Sequence, residues 1–336
     1  MDNILLTGCA GFIGSNFISY FIKKYNNYNL INLDNLTYAG SKQNISEVDS
    51  NSRHKFIKGD ICNRALLEKI FKENNITGVI NFAAESHVDN SIRESNLFIK
   101  TNILGTHLLV DVAYKYWMSG PFQYKKKFLN SRFLQISTDE VYGSIGGDDL
   151  FTEKSPYSPN SPYSASKASS DMIIRSYNKT YGMNTLITCS SNNYGPKQHD
   201  EKFIPTIIRK VVNLQSIPVY GDGKNVRDWM YVLDHCEAID LVFHNGKSGE
   251  TYNIGGNFQL TNLEVVNIIC THLNNLAPSK INYLSLVKHV KDRPGHDRRY
   301  AIDATKIKKE LGWSCKINYV DGFLSTLKWY LKKNER

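Results

Sequence analysis

The chain has 336 residues, of which 41% are hydrophobic and 22% charged, with a formal net charge of +9. These values lie near globular averages and exclude a collagenous, low-complexity or disordered chain; the length calls for one large α/β domain or two interlocked domains. No segment is apolar for long enough to span a bilayer, and the amino terminus lacks a basic region and a cleavage-site pattern, so a cytoplasmic protein without a membrane partner is expected.

Asn3 to Thr7 reads as an apolar strand, followed by a glycine-rich turn and by apolar residues at helical spacing, Phe12, Ile13, Phe17, Ile18 and Phe21. The turn, Thr7-Gly8-Cys9-Ala10-Gly11-Phe12-Ile13-Gly14, spaces its glycines three apart between strand and helix. Glycine there lets the backbone approach a pyrophosphate, which the helix amino terminus holds with unpaired N–H groups and the positive end of its dipole. A second apolar run, Leu30 to Leu33, ends at Asp34, about twenty residues beyond the last glycine, where a carboxylate accepts hydrogen bonds from the hydroxyls of an adenine ribose and repels a 2′-phosphate. NAD is therefore expected rather than NADP, against the simpler reading that Asp34 caps the next turn.

Further strands are expected at Lys55 to Ile57, Gly78 to Phe82 and Phe133 to Ser137, with helical patterns between them. The basic run Lys125 to Lys127 has no stacking or groove-reading motif beside it and reads as a solvated loop; no nucleic-acid partner is expected. After the strand ending at Ser137 come Thr138, Asp139 and Glu140, a hydroxyl and two carboxylates at the strand end where sites sit in such sheets. If their surroundings separate their pKa values, the two acids can serve as a general acid and a general base; the alternative is a solvated acidic turn.

Tyr163 and Lys167 lie four apart behind Ser161-Pro162, a helix-start signal that sets the tyrosine in the first turn. The dipole and the ammonium one turn on both favour phenolate. The same Tyr-x-x-x-Lys spacing recurs at Tyr20/Lys24 and Tyr38/Lys42, so spacing alone does not select a site.

Beyond about Ile187 the rhythm loosens, with Pro, Gly and Asn spread between Asn192 and Gly223; Asp234 to Asn245 reads as a helix and Thr251 to Ile254 as a strand. The expected fold is α/β, a Rossmann-type doubly wound parallel sheet with a smaller C-terminal substrate-binding domain. Residues 1–190 are expected to form the NAD-binding domain, to which the chain returns at about 225–258, and residues 191–336 are expected to be mainly a substrate-binding part. Six scattered cysteines, without Cys-x-x-Cys or zinc spacing, read as reduced thiols, and no metal site is expected.

TGCAGFIGSNF, LDNLTYAG, NFAAESHVDNSI, ISTDEVYG, SPYSASKASSD, SNNYGP, VYGDGKNVRDWMYVLDH, YNIGG and DRPGHDRRYAID together resemble the extended, sugar-nucleotide branch of the short-chain dehydrogenase/reductase superfamily. Within it the match is to the dTDP-glucose 4,6-dehydratase family, over nearly the whole chain. The Thr-Asp-Glu triplet separates these from the epimerases of the branch. The resemblance implies that Tyr163 takes the sugar 4-hydroxyl proton, Lys167 lowers the tyrosine pKa, Thr138 bonds the reacting oxygen, Glu140 removes the position-5 hydrogen and Asp139 protonates the departing 6-hydroxyl.

It further implies tightly bound NAD, regenerated each turnover, held by Gly8, Gly11, Phe12, Ile13, Gly14, Asp34, Asn35, Thr37, Asp60, Ile61, Ala83, Ala84, Tyr163, Lys167 and Asn192. For the substrate it implies Glu85, His87, Thr138, Asn192, Lys202, Phe203, Pro218, Tyr220, Arg227, Asn262, Arg293 and His296. Arg227 and Arg293 suit a diphosphate, although each alone also fits a surface ion pair. A homodimer and deoxysugar synthesis of the rhamnose type are the family's setting. UDP-glucose dehydration, 4-epimerisation or decarboxylation, and an idle NAD-binding sensor are the alternatives. The chain departs from the family pattern at His199-Asp200, where Phe-Pro is common, at Asn90 in place of an arginine, and at Cys189-Ser190.

Overall fold

A computed structural model describes residues 2–292 and 296–334. In chain order the strands are β1 (Asp2–Thr7), β2 (Tyr28–Asp34), β3 (His54–Lys58), β4 (Ile76–Asn81), the hairpin β5 (Met118–Gly120) and β6 (Gln123–Tyr124), β7 (Arg132–Thr138), β8 (Thr185–Ser190), β9 (Asn192–Tyr194), β10 (Ile217–Tyr220), β11 (Val226–Tyr231), β12 (Thr251–Ile254), β13 (Gln259–Thr261) and β14 (Val287–Val290). The helices are α1 (Phe12–Lys24), α2 (Arg64–Asn74), α3 (Val88–Arg93), α4 (Ser95–Phe98), α5 (Thr106–Trp117), α6 (Pro162–Tyr181), α7 (Phe203–Val212), α8 (Val232–Asn245), α9 (Asn262–Leu276), α10 (Thr305–Leu311) and α11 (Tyr319–Asn334).

Seven parallel strands form the main sheet in the order β12-β8-β7-β4-β1-β2-β3. Its inner strands β1, β4, β7 and β8 are buried along most of their length because helices cover both faces. On one face α1 and α8 bury Phe17, Ile18 and Phe21 with Ile239, Val242 and Phe243; on the other, α2, α5 and α6 bury Leu67, Phe71, Leu109, Val110 and Ile174. The chain passes to one side of β1 through β2 and β3 and to the other through β4. That reversal opens a crevice at the carboxyl ends of β1 and β4, the place where doubly wound sheets bind ligands.

A second core joins α7, α9 and α11 through Ile204, Ile207, Val265, Ile269, Phe323 and Leu327 against Trp229 of β11. Around it lie the β13-β11-β9 sheet and the parallel pair β10-β14. Helix α8 and strand β12 belong to the main sheet, and Ile307 and Trp313 pack into its core as well. The expected solvated loop at Lys125 to Lys127 is a short 3₁₀ turn: Lys125 donates to the carbonyls of Lys115 and Tyr116 at 2.9 and 2.8 Å, and Lys127 to Asn75 Oδ1 at 2.7 Å. No helix among the described residues is long and apolar enough to cross a membrane.

Candidate active site

The glycine turn runs from β1 to α1 with its backbone set by two close approaches. Gly8 has φ +71°, and a Cβ there would stand 2.6 Å from the Ala83 backbone; a Cβ on Gly14 would stand 2.6 Å from Cys9. Gly11 is the N-cap of α1 and offers no side chain to its first-turn N–H groups, which leaves them for a ligand oxygen. Asp34, at the end of β2, accepts from the N–H of Ala10 at 2.8 Å and of Leu36 at 2.7 Å. It therefore does cap the following turn, and the same two bonds fix a buried carboxylate beside the glycine cradle. Burial raises its pKa, and the two N–H groups oppose that shift. A cradle that a Cβ would fill, an uncapped helix start and a fixed carboxylate together fit the pyrophosphate and ribose of NAD, and the carboxylate disfavours a 2′-phosphate.

Directly after β7 the chain turns into a single 3₁₀ turn over Asp139–Tyr142, with Thr138 as its N-cap accepting from the Glu140 N–H at 3.3 Å. The turn brings Thr138, Asp139 and Glu140 to the wall of one cleft, which an extended strand would not have done. Asp139 is 2% exposed, and its Oδ2 has no hydrogen-bond partner among the described residues. Burial first, then the charges of Glu140 and Asp228, drive its pKa well above the carboxylate range, against Arg227 and the Thr138 hydroxyl. A solvated acidic turn is thereby excluded for Asp139.

Helix α6 starts where Ser161-Pro162 set it: Ser161 and Ser164 form a reciprocal capping box and Pro162 occupies the first turn. Tyr163 and Lys167 are both buried in the same cleft wall. The Lys167 Nζ donates to the Ile136 carbonyl at 2.7 Å. Burial first and then the carboxylate of Glu140 raise the Tyr163 pKa, and the hydroxyl of Thr138 opposes that rise. The expected lowering rests on the helix dipole, the Lys167 ammonium and a positively charged nicotinamide together, which act against the two acids. Tyr20 and Lys24, at the same spacing, lie on α1 away from the cleft and bind Asp240 at 3.1 and 2.6 Å.

The cleft is lined by every residue expected at the cofactor, namely Gly8, Gly11, Phe12, Ile13, Gly14, Asp34, Asn35, Thr37, Asp60, Ile61, Ala83, Ala84, Tyr163, Lys167 and Asn192. Glu85, Thr138 and Lys202 join them from the substrate set. Lys202 reaches the Ser86 carbonyl at 2.8 Å. His87 instead caps α3, its Nδ1 accepting from the Asn90 N–H at 3.2 Å, and its Nε2 lies 3.6 Å from Glu201. Phe203, Pro218, Tyr220, Asn262 and His296 stand outside the cleft wall, on and around the second core: Phe203 stacks on Trp229, and the Tyr220 and His296 rings meet at 6.2 Å.

Arg227 is buried, not a surface ion pair; its guanidinium donates to the carbonyls of Val226 and Asp297 and lies 4.3 Å from the Tyr300 ring centre. Its charge acts on Asp139. Arg293 lies outside the described residues.

Sequence reading missed several lining residues, among them Ser86, Thr101, Gln198 and His199. Thr101 lies in a π-helical stretch, Ile99–Gly105, whose buried Asn102 bonds both Glu85 backbone groups and the Ser166 hydroxyl, tying the β4 end to α6. Apolar periodicity carries no signal for such a bulge. His199, where the family commonly has Phe, sets its ring edge-on to Tyr38 at 5.5 Å and its Nδ1 3.7 Å from Glu201. All six cysteines are free thiols, and no cluster of metal-ligating side chains occurs among the described residues.

Residues 5–325 match the family described as GDP-mannose 4,6 dehydratase. A dTDP-glucose 4,6-dehydratase of Haemophilus influenzae is 49% identical over 336 residues, covering 98% of each chain. The crystal structure of dTDP-glucose 4,6-dehydratase from Bacillus anthracis in complex with NAD superposes with a TM-score of 0.87 at 45% identity, covering 100% of this chain and 98% of that one. The Streptomyces venezuelae enzyme of the same name, with NAD and TDP bound, gives a TM-score of 0.89 at 41% identity over 99% and 98% of the two chains. With near-complete coverage in sequence and in structure, this chain belongs to the nucleotide-sugar 4,6-dehydratase family, among its dTDP-glucose 4,6-dehydratases.

Proposed function

We propose that the chain converts dTDP-glucose to dTDP-4-keto-6-deoxyglucose and water. The observation that carries this reading is the 3₁₀ turn after β7, which presents two acids in one cleft with the Tyr163/Lys167 pair and the glycine cradle. Bound NAD would supply a reversible hydride acceptor, for the hydrogen of sugar carbon 4 and for its return to carbon 6. Gly8, Gly11 and the start of α1 hold its pyrophosphate, and Asp34 its ribose.

Tyr163 receives the 4-hydroxyl proton while Thr138 bonds the same oxygen. Lys167 supplies positive charge beside the phenol, which is needed because Glu140 and Asp139 oppose the phenolate. Once carbon 4 is a ketone, the hydrogen on carbon 5 is acidic; Glu140 takes it as a proton and gives a proton back to carbon 5 when hydride is returned to carbon 6. Asp139, held protonated by its burial, donates to the 6-hydroxyl as it leaves as water. Arg227 and Lys202 provide the positive charge for the diphosphate side. Only an acid kept neutral next to a base can serve both ends of this elimination.

The protein is proposed to act as a homodimer. Ile92, Leu97, Ile99, Leu104 and Met172 are each more than 40% exposed on α3, α4, the π-helical stretch and α6, adjoining segments that pack on one another. Such an apolar surface fits a second copy.

Two variants test the assignment in single turnovers. Tyr163→Phe is expected to abolish sugar oxidation, and Glu140→Gln to permit oxidation while elimination falls by roughly 10²-fold or more. Unchanged dehydration by Glu140→Gln would contradict the assigned base.

A further inference from the structure

Behind the wall that holds Tyr163 and Lys167, α6 carries a charged residue that the proposed reaction leaves unused. Asp171 follows Lys167 by one helical turn on the same face and is fully buried. Its Oδ2 accepts from the Ser137 hydroxyl at 2.6 Å and from the Tyr157 hydroxyl at 3.1 Å. Its Oδ1 is buried without a hydrogen-bond partner among the described residues.

Strand β7 anchors both members of this turn. Ile136 receives the Lys167 ammonium on its carbonyl at 2.7 Å, and the next residue, Ser137, donates to the carboxylate. The ionisable groups facing Asp171 are Lys167 and Arg175 from α6, Tyr157 from the preceding segment, Tyr142 from the 3₁₀ turn and Cys189 from β8. Arg175 also donates to the Tyr157 hydroxyl at 3.3 Å, so the phenol bridges the two charges.

A carboxylate enclosed this way is costly unless a cation answers it. Burial lifts the Asp171 pKa to about 6, and the Lys167 charge is the foremost influence against that rise. Reciprocally, burial lowers the Lys167 pKa, and Asp171 is the foremost influence against that fall.

We propose that Asp171 is the buried counter-charge of Lys167, a positioning residue that keeps the lysine an ammonium in the cleft wall beside Tyr163. Its kinetic test rests on the dehydratase reading above. A neutral Lys167 would leave Tyr163 facing only the two acids, and the 4-hydroxyl proton would have no acceptor.

The decisive variant is Asp171→Asn, which preserves shape and can still accept from Ser137 and Tyr157. The pH dependence of sugar oxidation in a single turnover is the kinetic readout, and titration of the Lys167 side chain by lysine-selective NMR of the unreacted protein is the second. The alkaline limb and the lysine titration are both expected to move down by about one pH unit or more, a tenfold change in the dissociation constant. Ser137→Ala, which removes one donor and keeps the charge, is expected to leave both unmoved or slightly raised.

A rate lowered equally at every pH with the limb unmoved, or a lysine that titrates as in the wild type, would overturn the proposal. Should wild-type protein fail to dehydrate dTDP-glucose, the dehydratase reading falls while the NMR comparison still decides the role of Asp171.

Discussion

Asp139 and Glu140 are neighbours in sequence, yet the 3₁₀ turn gives one of them a closed surrounding with Asp228 and Arg227 close by, and that difference of environment is what elimination requires. The pKa of Asp139 is raised in the folded chain, so its protonated form contributes stability that is fully present below the unfolded value of about 3.9 and is lost as pH rises through the folded value. Asp139→Asn has no proton to lose. From about pH 4 upward its melting temperature is expected to fall less than that of the wild type, while dehydration drops by roughly 10²–10⁴-fold. A melting profile parallel to the wild type would show that Asp139 is already ionised. The identities of these residues were legible in the sequence because Thr138, Asp139 and Glu140 follow an apolar strand. The opposition of both acids to a Tyr163 phenolate was not, because it depends on which carboxylates the fold turns towards the phenol.

Elements whose ends are fixed by capping chemistry were read well. The start of α6 follows from Ser161 and Pro162, and replacing Ser161 with alanine is expected to cost about 1 kcal/mol in thermal or denaturant unfolding and to weaken the hold on Tyr163. The turn from β1 to α1 is equally legible, since Gly8 is in the left-handed region against the Ala83 backbone. Gly8→Ala is expected to destabilise the chain by about 1–3 kcal/mol and to leave the purified protein depleted of NAD, measured by unfolding and by cofactor content. The elements around the second core were read poorly. Strands β9 and β13 have three residues each and β10 has four, too short to display a period, and the π-helical stretch carrying Asn102 breaks the period within an otherwise helical run. Of the substrate residues expected from the family, Arg227 acts on Asp139 through its charge, whereas Tyr220 and His296 pair with each other at 6.2 Å.

At the scale of the whole molecule, the doubly wound sheet sets the cofactor cradle and the acid pair at the carboxyl ends of its strands, and Asn192, Gln198, His199 and Lys202, from the chain after β8, line the same cleft. The exposed apolar residues beside α6 offer the test of the proposed homodimer: a Leu97→Asp, Leu104→Asp double variant is expected to sediment as a monomer and the wild type as a dimer. A wild type that is monomeric at working concentration would remove the dimer. The central claim, elimination of water from a nucleotide-activated glucose, is met most directly by mass spectrometry of the purified protein with dTDP-glucose and, separately, UDP-glucose, without added reductant. Loss of one water from dTDP-glucose, with UDP-glucose left intact or converted more slowly, is the expected result. An unchanged mass for both substrates, with NAD bound, would contradict it.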